Sequence, residues 1–358
     1  MKKILVLDSI AKEGVDYLKK TGFQVDEKPT LSEGELIHII PNYHGLLVRS
    51  ATKITTNVLK NAILLQVIGR AGAGVDNIDI AGADDRGVVV VNAPDGNSVS
   101  VAEYTIGMML SIARQIPLLS NKLRRGVWCK SSHGVELFGK TLGILGLGRI
   151  GCKVAKRAKA FEMNIIGHDP YLPKNKVKEM DIKIVSLEDI FCQSDFITLH
   201  LPFNQETKYI VDEKLLGIAK PSAFLINVAR GGIVDEIALY NALVSKKIAG
   251  AAIDVYEEEP AIGNPLLSLD NVIATPHLGA STKEAQAKIS MEVAKNVIAV
   301  FKNIQSAINV LEKQIPVQPS NVEFAEILGC KTGMCVCGEE LVEYETYCWN
   351  CGQKINWN

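Results

Sequence analysis

The sequence carries almost no net charge, formally −1 from 39 Lys and Arg against 40 Asp and Glu, so it advertises no polyanionic partner and nucleic-acid binding is not expected. It also lacks any run near the ~20 apolar residues that a membrane span needs. Met1-Lys2-Lys3 is followed by only four apolar residues before Asp8, too few for a signal peptide. These absences predict a cytoplasmic protein with no membrane partner. Cysteine is scarce over most of the chain: Cys129, Cys152 and Cys192 are alone in the first 313 residues, and the other five of eight fall in the last 45. That distribution excludes a disulfide framework for the body of the protein and marks a separate C-terminal module.

What is present is apolar residue in short periodic blocks. With 358 residues, 47% of them hydrophobic, two or three domains are expected. The organising stretch runs from Lys140 to Gly151. Leu142–Leu145 reads as a short buried strand, Gly146, Gly148 and Gly151 follow as G-x-G-x-x-G, and Arg149–Phe161 continues with helical periodicity. The first glycine permits a tight turn, the second lets backbone approach a pyrophosphate, and the third lets helix and strand pack closely. The helix N-terminus then offers free N–H groups to the anion. A second strand, Asn164–His168, ends in Asp169, where a carboxylate accepts from a ribose 2′-OH and repels a 2′-phosphate, favouring NAD.

Upstream, Ile4–Leu7, Phe23–Glu27, Gly45–Val48, Leu64–Ile68 and Val88–Val91 read as strands alternating with short helices, the first of these Ser9–Thr21. This unit has no fingerprint glycines, so it is not expected to hold the cofactor. Two of its strand-end loops carry chemistry. Arg49-Ser50-Ala51-Thr52 offers a cation and hydroxyls, and Arg70-Ala71-Gly72-Ala73-Gly74-Val75-Asp76 offers bare N–H groups to a carboxylate, an ordinary turn being the even alternative. Ser98 is a candidate N-cap for one long helix from Val99 to about Arg125.

Beyond Asp169, strands are expected at Asp195–His200, Ala223–Val228, Ala249–Val255 and Val272–Ala274, with Asp235–Val244 the clearest helix between them. Glu284–Lys302 has an apolar stripe of Ile289, Val293, Val297, Val300 and Phe301, and is read as returning the chain to the first domain. Four clusters follow strands: His200-Leu-Pro202, Asn227-Val-Ala-Arg230, Asp254-Val-Tyr-Glu-Glu-Glu259 and Thr275-Pro-His277. Ligands of open parallel sheets bind outside the carboxyl ends of the strands, so these clusters are expected to converge on the cofactor crevice.

At these motifs the chain resembles the D-isomer-specific 2-hydroxyacid dehydrogenases, over about residues 3–311. Gly-Leu-Gly-Arg-Ile-Gly151, Asn-Val-Ala-Arg230-Gly-Gly-Ile-Val-Asp-Glu, Asp254-Val-Tyr-Glu-Glu-Glu259-Pro and Pro-His277-Leu-Gly-Ala-Ser-Thr carry the resemblance. It implies a flavodoxin-like substrate domain of residues 1–97 plus 283–311, and a Rossmann NAD domain of 98–282. Both would be doubly wound α/β domains with parallel sheets, and dimers would join through the NAD domain. NAD would be lined by Gly146, Gly148, Arg149, Ile150, Gly151, Asp169, His200, Pro202, Thr207, Asn227, Val228, Ala229 and Asp254, the last at the nicotinamide carboxamide. The resemblance makes His277 the acid/base, Glu259 the group that orients its imidazole, and Arg230 the holder of the substrate carboxylate or carbonyl oxygen. Glu257 and Glu258 are read as solvated acids of the same run. Arg49, Ser50, Ala73 and Gly74 would meet the substrate, a small 2-hydroxy acid. The closest motifs imply oxidation of 3-phospho-D-glycerate. A glyoxylate or hydroxypyruvate reductase is the alternative enzyme, and an NAD-sensing corepressor the alternative of another class. Substrate held between the two domains implies closure, with hinges near Asn97 and Ser281.

Where the resemblance stops, residues 314–329 are expected as a linker and 330–358 as a small zinc-ribbon-like module. Cys335-x-Cys337-Gly338, then Cys348-x-x-Cys351-Gly352, offers four thiolates of the kind tetrahedral zinc takes, Cys330 being a substitute ligand. A 29-residue segment falls below the ~40 residues at which a core suffices without a staple. Its acids outnumber its cations, so contact with protein rather than nucleic acid is expected of it.

Overall fold

The computed structural model describes residues 1–172, 182–314, 320–325, 330–334 and 340–342. The chain divides into two compact units, Met1–Ala294 and Lys295–Asn358.

The first unit holds two parallel sheets. β1 (Lys3–Val6), β2 (Gln24–Glu27), β3 (Gly45–Val48), β4 (Val67–Arg70) and β5 (Val89–Asn92) form a five-stranded sheet in the order β2-β1-β3-β4-β5. Chain order reverses between β1 and β3, the flavodoxin-like switch point, where a crevice opens at the strand ends. All four residues of β3 are buried, as expected of a parallel strand covered on both faces.

The second sheet has seven strands: β6 (Thr141–Leu145), β7 (Asn164–His168), β8 (Lys183–Ile184), β9 (Phe196–Leu199), β10 (Phe224–Asn227), β11 (Gly250–Ile253) and β12 (Val272–Ala274). Their order is β12-β11-β10-β9-β6-β7-β8, a Rossmann arrangement whose switch point lies between β6 and β9. One face is covered by the helices Ser98–Ala113 and Arg149–Ala160, which bury Met109, Ile112 and Val154; the other buries Phe191, Leu216 and Leu239. Helix Glu236–Val244 starts where expected because the Asp235 carboxylate accepts from the N–H groups of Ile237 and Ala238, both at 3.0 Å.

Several local expectations are corrected. The stretch from Val99 to Arg125 is two helices, Ser98–Ala113 and Ile116–Arg124. Gln115 between them is left-handed at φ 53, and Pro117 opens the second helix, where its missing N–H costs nothing. Ser98 is not the N-cap: it is the first helical residue, and its hydroxyl donates to Asp95 O at 3.1 Å. The strand expected at Leu64–Ile68 starts only at Val67, since Ile63 and Leu64 are exposed in the preceding turn.

The final long helix, Lys283–Gln314, begins in the first unit, where it buries Ile289 and Val293. Gly14 is pressed against it: the Gly14 N–H donates to Ser290 Oγ at 3.2 Å, and a Cβ there would sit 2.2 Å from Ser290 O. In the second unit, β13 (Ser320–Ala325), β14 (Cys330–Met334) and β15 (Glu340–Val342) form a three-stranded antiparallel sheet, β13 falling within the stretch expected as a linker. Cys335, Cys337, Cys348 and Cys351 lie outside the described residues. Among the described residues no helix is long and apolar enough to cross a membrane.

Candidate active site

At the Rossmann switch point the three glycines have separate reasons to be glycine. Gly146 has φ +90, and a Cβ there would lie 2.5 Å from the carbonyl oxygen of His200, at the end of the neighbouring strand. A Cβ on Gly151 would lie 2.0 Å from Gly146 O, so helix and turn touch backbone to backbone. A Cβ on Gly148 would meet no protein atom within 4 Å: that backbone faces the open crevice at the N-terminus of helix Arg149–Ala160, beside half-buried Ile150. This is the cradle a pyrophosphate requires, and it fits NAD. Asp169 braces the cradle, accepting from Leu147 N at 2.9 Å and Tyr171 N at 3.0 Å, and keeps lone pairs for a ribose hydroxyl. Arg149 turns to Asp95, with Nε 2.5 Å from Oδ1.

Across the crevice, Thr207 ties the loop after β9 together, donating to Pro202 O at 2.7 Å and accepting from Asn204 N at 2.9 Å. Burial pushes the His200 imidazole down to about 3, so it is neutral, with Nε2 3.1 Å from Thr198 Oγ1. Val228 and Ala229 are buried at the end of β10.

Asn227 shapes the turn that presents Arg230: its amide donates to Arg230 O at 3.0 Å and its oxygen accepts from Ala229 N at 3.1 Å. Arg230 then crosses to the loop after β4, where Nε donates to Asp76 Oδ2 at 2.7 Å. A Cβ on Gly74 would lie 1.9 Å from Arg230 Nη2, so only glycine lets the guanidinium rest there. Ala73 beside it is fixed through its carbonyl, which accepts from the Asn92 amide.

Asp254 is 0% exposed and organises the histidine loop. Oδ1 accepts from Thr275 Oγ1 at 2.7 Å and Leu278 N at 2.8 Å, and Oδ2 from Gly279 N at 2.8 Å. Asp254 thus has a structural duty within the protein beside the cofactor contact expected of it. His277 itself sits at φ 55, a left-handed conformation costing on the order of 1 kcal/mol, held by its N–H donating to Asp254 O at 2.8 Å. Its Nδ1 is 2.9 Å from Glu259 Oε2 and 3.1 Å from Oε1. Burial alone pushes the Glu259 carboxyl up; the hydrogen bond and charge of His277, the Tyr256 N–H and Arg230 outweigh it, and the net shift is down. Glu259 is thus ionised, Nδ1 is the donor, and Nε2 is left to act as a base.

Positive charge gathers where the first sheet faces this pair. Asp8, 7% exposed, accepts from Arg49 N at 2.9 Å, Thr52 N at 3.1 Å and Thr52 Oγ1 at 2.7 Å, which sets the loop carrying Arg49 and Ser50. Burial pushes Arg70 down to about 10, helped by the charges of Arg230 and Arg49, and its Nε has no hydrogen-bond partner. A cavity of about 690 Å³ bordered by Ser50, Lys53, Tyr256, Glu259, Ile262 and His277 adjoins the pair. The sequence does not single out Asp8 and Lys53, and it marks Arg70 only as the start of the glycine-rich loop. Each sits within a few residues of a strand's carboxyl end, and that position was the available signal.

The family model "D-isomer specific 2-hydroxyacid dehydrogenase, NAD binding domain" matches residues 106–279. A D-3-phosphoglycerate dehydrogenase of Archaeoglobus fulgidus is 44% identical over 90% of this chain. A glyoxylate reductase from Paecilomyes thermophila superposes with a TM-score of 0.77 at 30% identity, covering 84% of this chain and 96% of its own. The chain belongs to the D-isomer specific 2-hydroxyacid dehydrogenase family. A D-lactate dehydrogenase of Aquifex aeolicus, solved with NAD and lactic acid, has a TM-score of 0.74 at 28% identity over 85% of this chain and 97% of its own. The chain spans 61% of the length of the Archaeoglobus relative. As a 2-hydroxyacid dehydrogenase fold, it brings the expected Arg230, Glu259 and His277 to one edge beside the nucleotide cradle.

Proposed function

We propose that the protein oxidises 3-phospho-D-glycerate to 3-phosphohydroxypyruvate with NAD, the entry reaction of serine biosynthesis. The observation that carries this reading is Nδ1 of His277 bound to ionised Glu259, which leaves Nε2 for the substrate hydroxyl, opposite Arg49, Arg70 and Arg230. Bound NAD supplies the hydride acceptor. Nε2 of His277 takes the hydroxyl proton while Glu259 stabilises the imidazolium that forms. Arg230, steadied by Asp76, holds the substrate carboxylate with its remaining N–H groups and orients the reacting carbon. The partly unmatched cations Arg49 and Arg70, with Lys53 at the adjoining cavity, suit a second anionic group, which favours a phosphorylated substrate.

A substrate panel with both nucleotides tests this. 3-Phosphoglycerate with NAD should give the highest kcat/KM; preference for unphosphorylated hydroxypyruvate or glyoxylate would favour the second reading, to which the likeness to a glyoxylate reductase lends support. Absence of turnover with every 2-hydroxy acid would favour an NAD-sensing binding role.

The reading extends to organisation. Residues 1–97 with 283–311 would form the substrate domain and 98–282 the NAD domain, supported by the packing of Gly14 on Ser290 and of Gly96 on Ile289. The exposed Ile116, Leu123, Val127, Trp128 and Phe138 of the NAD domain suit a homodimer through that domain, which sedimentation equilibrium should find. The terminal cysteines would bind one structural zinc. The spacing Cys335-x-Cys337-Gly338 and Cys348-x-x-Cys351-Gly352 supports this reading, four thiolates being the set tetrahedral zinc takes. Elemental analysis should find about one zinc per chain, and five freely titratable tail thiols without metal would overturn it.

A further inference from the structure

The acids of Asp254-Val-Tyr-Glu-Glu-Glu259 do not share one fate. Glu257 is tied to the start of helix Glu236–Val244 by a reciprocal pair: the Glu257 N–H donates to Glu236 Oε1 at 2.7 Å, and the Glu236 N–H donates to Glu257 Oε1 at 3.3 Å. Glu257 is exposed, as expected of a solvated acid, yet these bonds also hold it in place. Its other oxygen accepts from Tyr209 Oη at 2.8 Å, and Tyr209, left-handed at φ 51, also donates its N–H to Gly232 O at 2.8 Å. Glu236 Oε2 accepts from the Asn264 amide on the far side of the loop. A Cβ on Gly231 would lie 1.8 Å from Tyr256 O, so the two loops also touch backbone to backbone.

These bonds join two strand-end loops at points adjacent to Arg230 and to Glu259. The reach of Glu259 to His277 depends on the backbone at Tyr256–Glu258, which Glu259 itself meets at one end, accepting from Tyr256 N at 3.3 Å, and which Glu236 holds at the Glu257 N–H. We propose that Glu236 and Glu257, with Tyr209, form a positioning clamp that sets Glu259 against His277 and couples that setting to Arg230. The proposal rests on the assignment of His277 and Glu259 to proton transfer.

Glu257→Ala, Glu257→Gln, Glu236→Ala, Tyr209→Phe, Glu259→Gln, His277→Gln and, as a neighbouring control, Glu258→Gln would be compared by steady-state kinetics from pH 6 to 9. Displacing Glu259 by a fraction of an ångström to 1 Å should lower kcat by about 10- to 100-fold. KM for NAD should hold, since no clamp residue borders the cradle. The pH profile of kcat in Glu257→Ala and Glu236→Ala should move towards that of Glu259→Gln. Glu257→Gln, which keeps an acceptor for the Glu236 N–H, should recover most of the rate, and Tyr209→Phe should fall between. The clamp is overturned if Glu257→Ala matches Glu258→Gln, or if it loses rate with an unmoved pH profile and no rescue by glutamine. Near-normal turnover in His277→Gln would instead overturn the functional assignment beneath it.

Discussion

Arg230 and Asp76 belong to different sheets, and the 2.7 Å bond between Nε and Oδ2 spans the cleft at the point where substrate is proposed to bind. The guanidinium is held at two points, Nε by Asp76 and Nη1 by Ala229 O at 2.7 Å, which fixes the direction of its remaining N–H groups. A lysine would keep the charge but lose both the anchored edge and the planar pair. Arg230→Lys should therefore lower kcat/KM by about 10- to 100-fold, corresponding to ~1.5–3 kcal/mol for a charged hydrogen bond. Unchanged kcat/KM would remove Arg230 from the site.

Asp254 predicts a stability effect as well as a kinetic one. Asp254→Ala would orphan the buried N–H of Gly279, at ~1–3 kcal/mol, and remove the acceptor of the Leu278 N–H and the shorter of two acceptors of the Thr275 hydroxyl. Differential scanning fluorimetry should show a clear fall in Tm, and kcat should fall with it because the same loop presents His277. Asp254→Asn keeps an acceptor and should lose less.

Two glycines separate fold from cofactor. Gly148→Ala meets no protein atom, so Tm should hold while the Kd for NAD, by fluorescence titration, rises at least ~10-fold as the methyl blocks close approach of a pyrophosphate. Gly151→Ala collides with Gly146 O, so both Tm and NAD affinity should fall. Equal behaviour of the two variants would contradict the separate roles.

His200 predicts the pH dependence of stability. Its imidazole titrates near the ordinary 6.5 when unfolded and about 3 when folded. Between those values the unfolded chain binds the extra proton, so stability is fully present above about 6.5 and declines as pH falls towards 3. Urea unfolding at pH 7 and pH 5 should show a lower midpoint at pH 5, and His200→Gln should reduce the difference. A difference unaltered by that substitution would place its origin elsewhere.

The sheets were legible because buried parallel strands write themselves as short apolar blocks: Gly45–Val48, Asn164–His168 and Val272–Ala274 were read with their observed limits. The glycine spacing and the strand-end polar clusters located the nucleotide cradle and His277 for the same reason, as positions next to strand ends. What escaped was set by distant partners. Leu64 is as apolar as a strand residue but has no neighbouring strand to pair with. Ser98 lost the cap position to the geometry of Asp95. Glu257 is solvated as expected, but its tie to Glu236, 21 residues away, has no signal in the sequence. Pro117 marks the start of the second helix, while the apolar residues on either side of it run on without a gap.

The contact between Gly14 and Ser290 has a consequence for the order of events at the ribosome. β5 ends at Asn92, and the segment that packs on Gly14 emerges roughly 200 residues later, ~10–40 s at ~5–20 residues per second. During that interval Gly14 waits without the partner that packs on it, while the whole nucleotide-binding sheet is made. The contact that Gly14 makes with Ser290 is thus made late in synthesis, and nascent molecules stalled between those points would lack it.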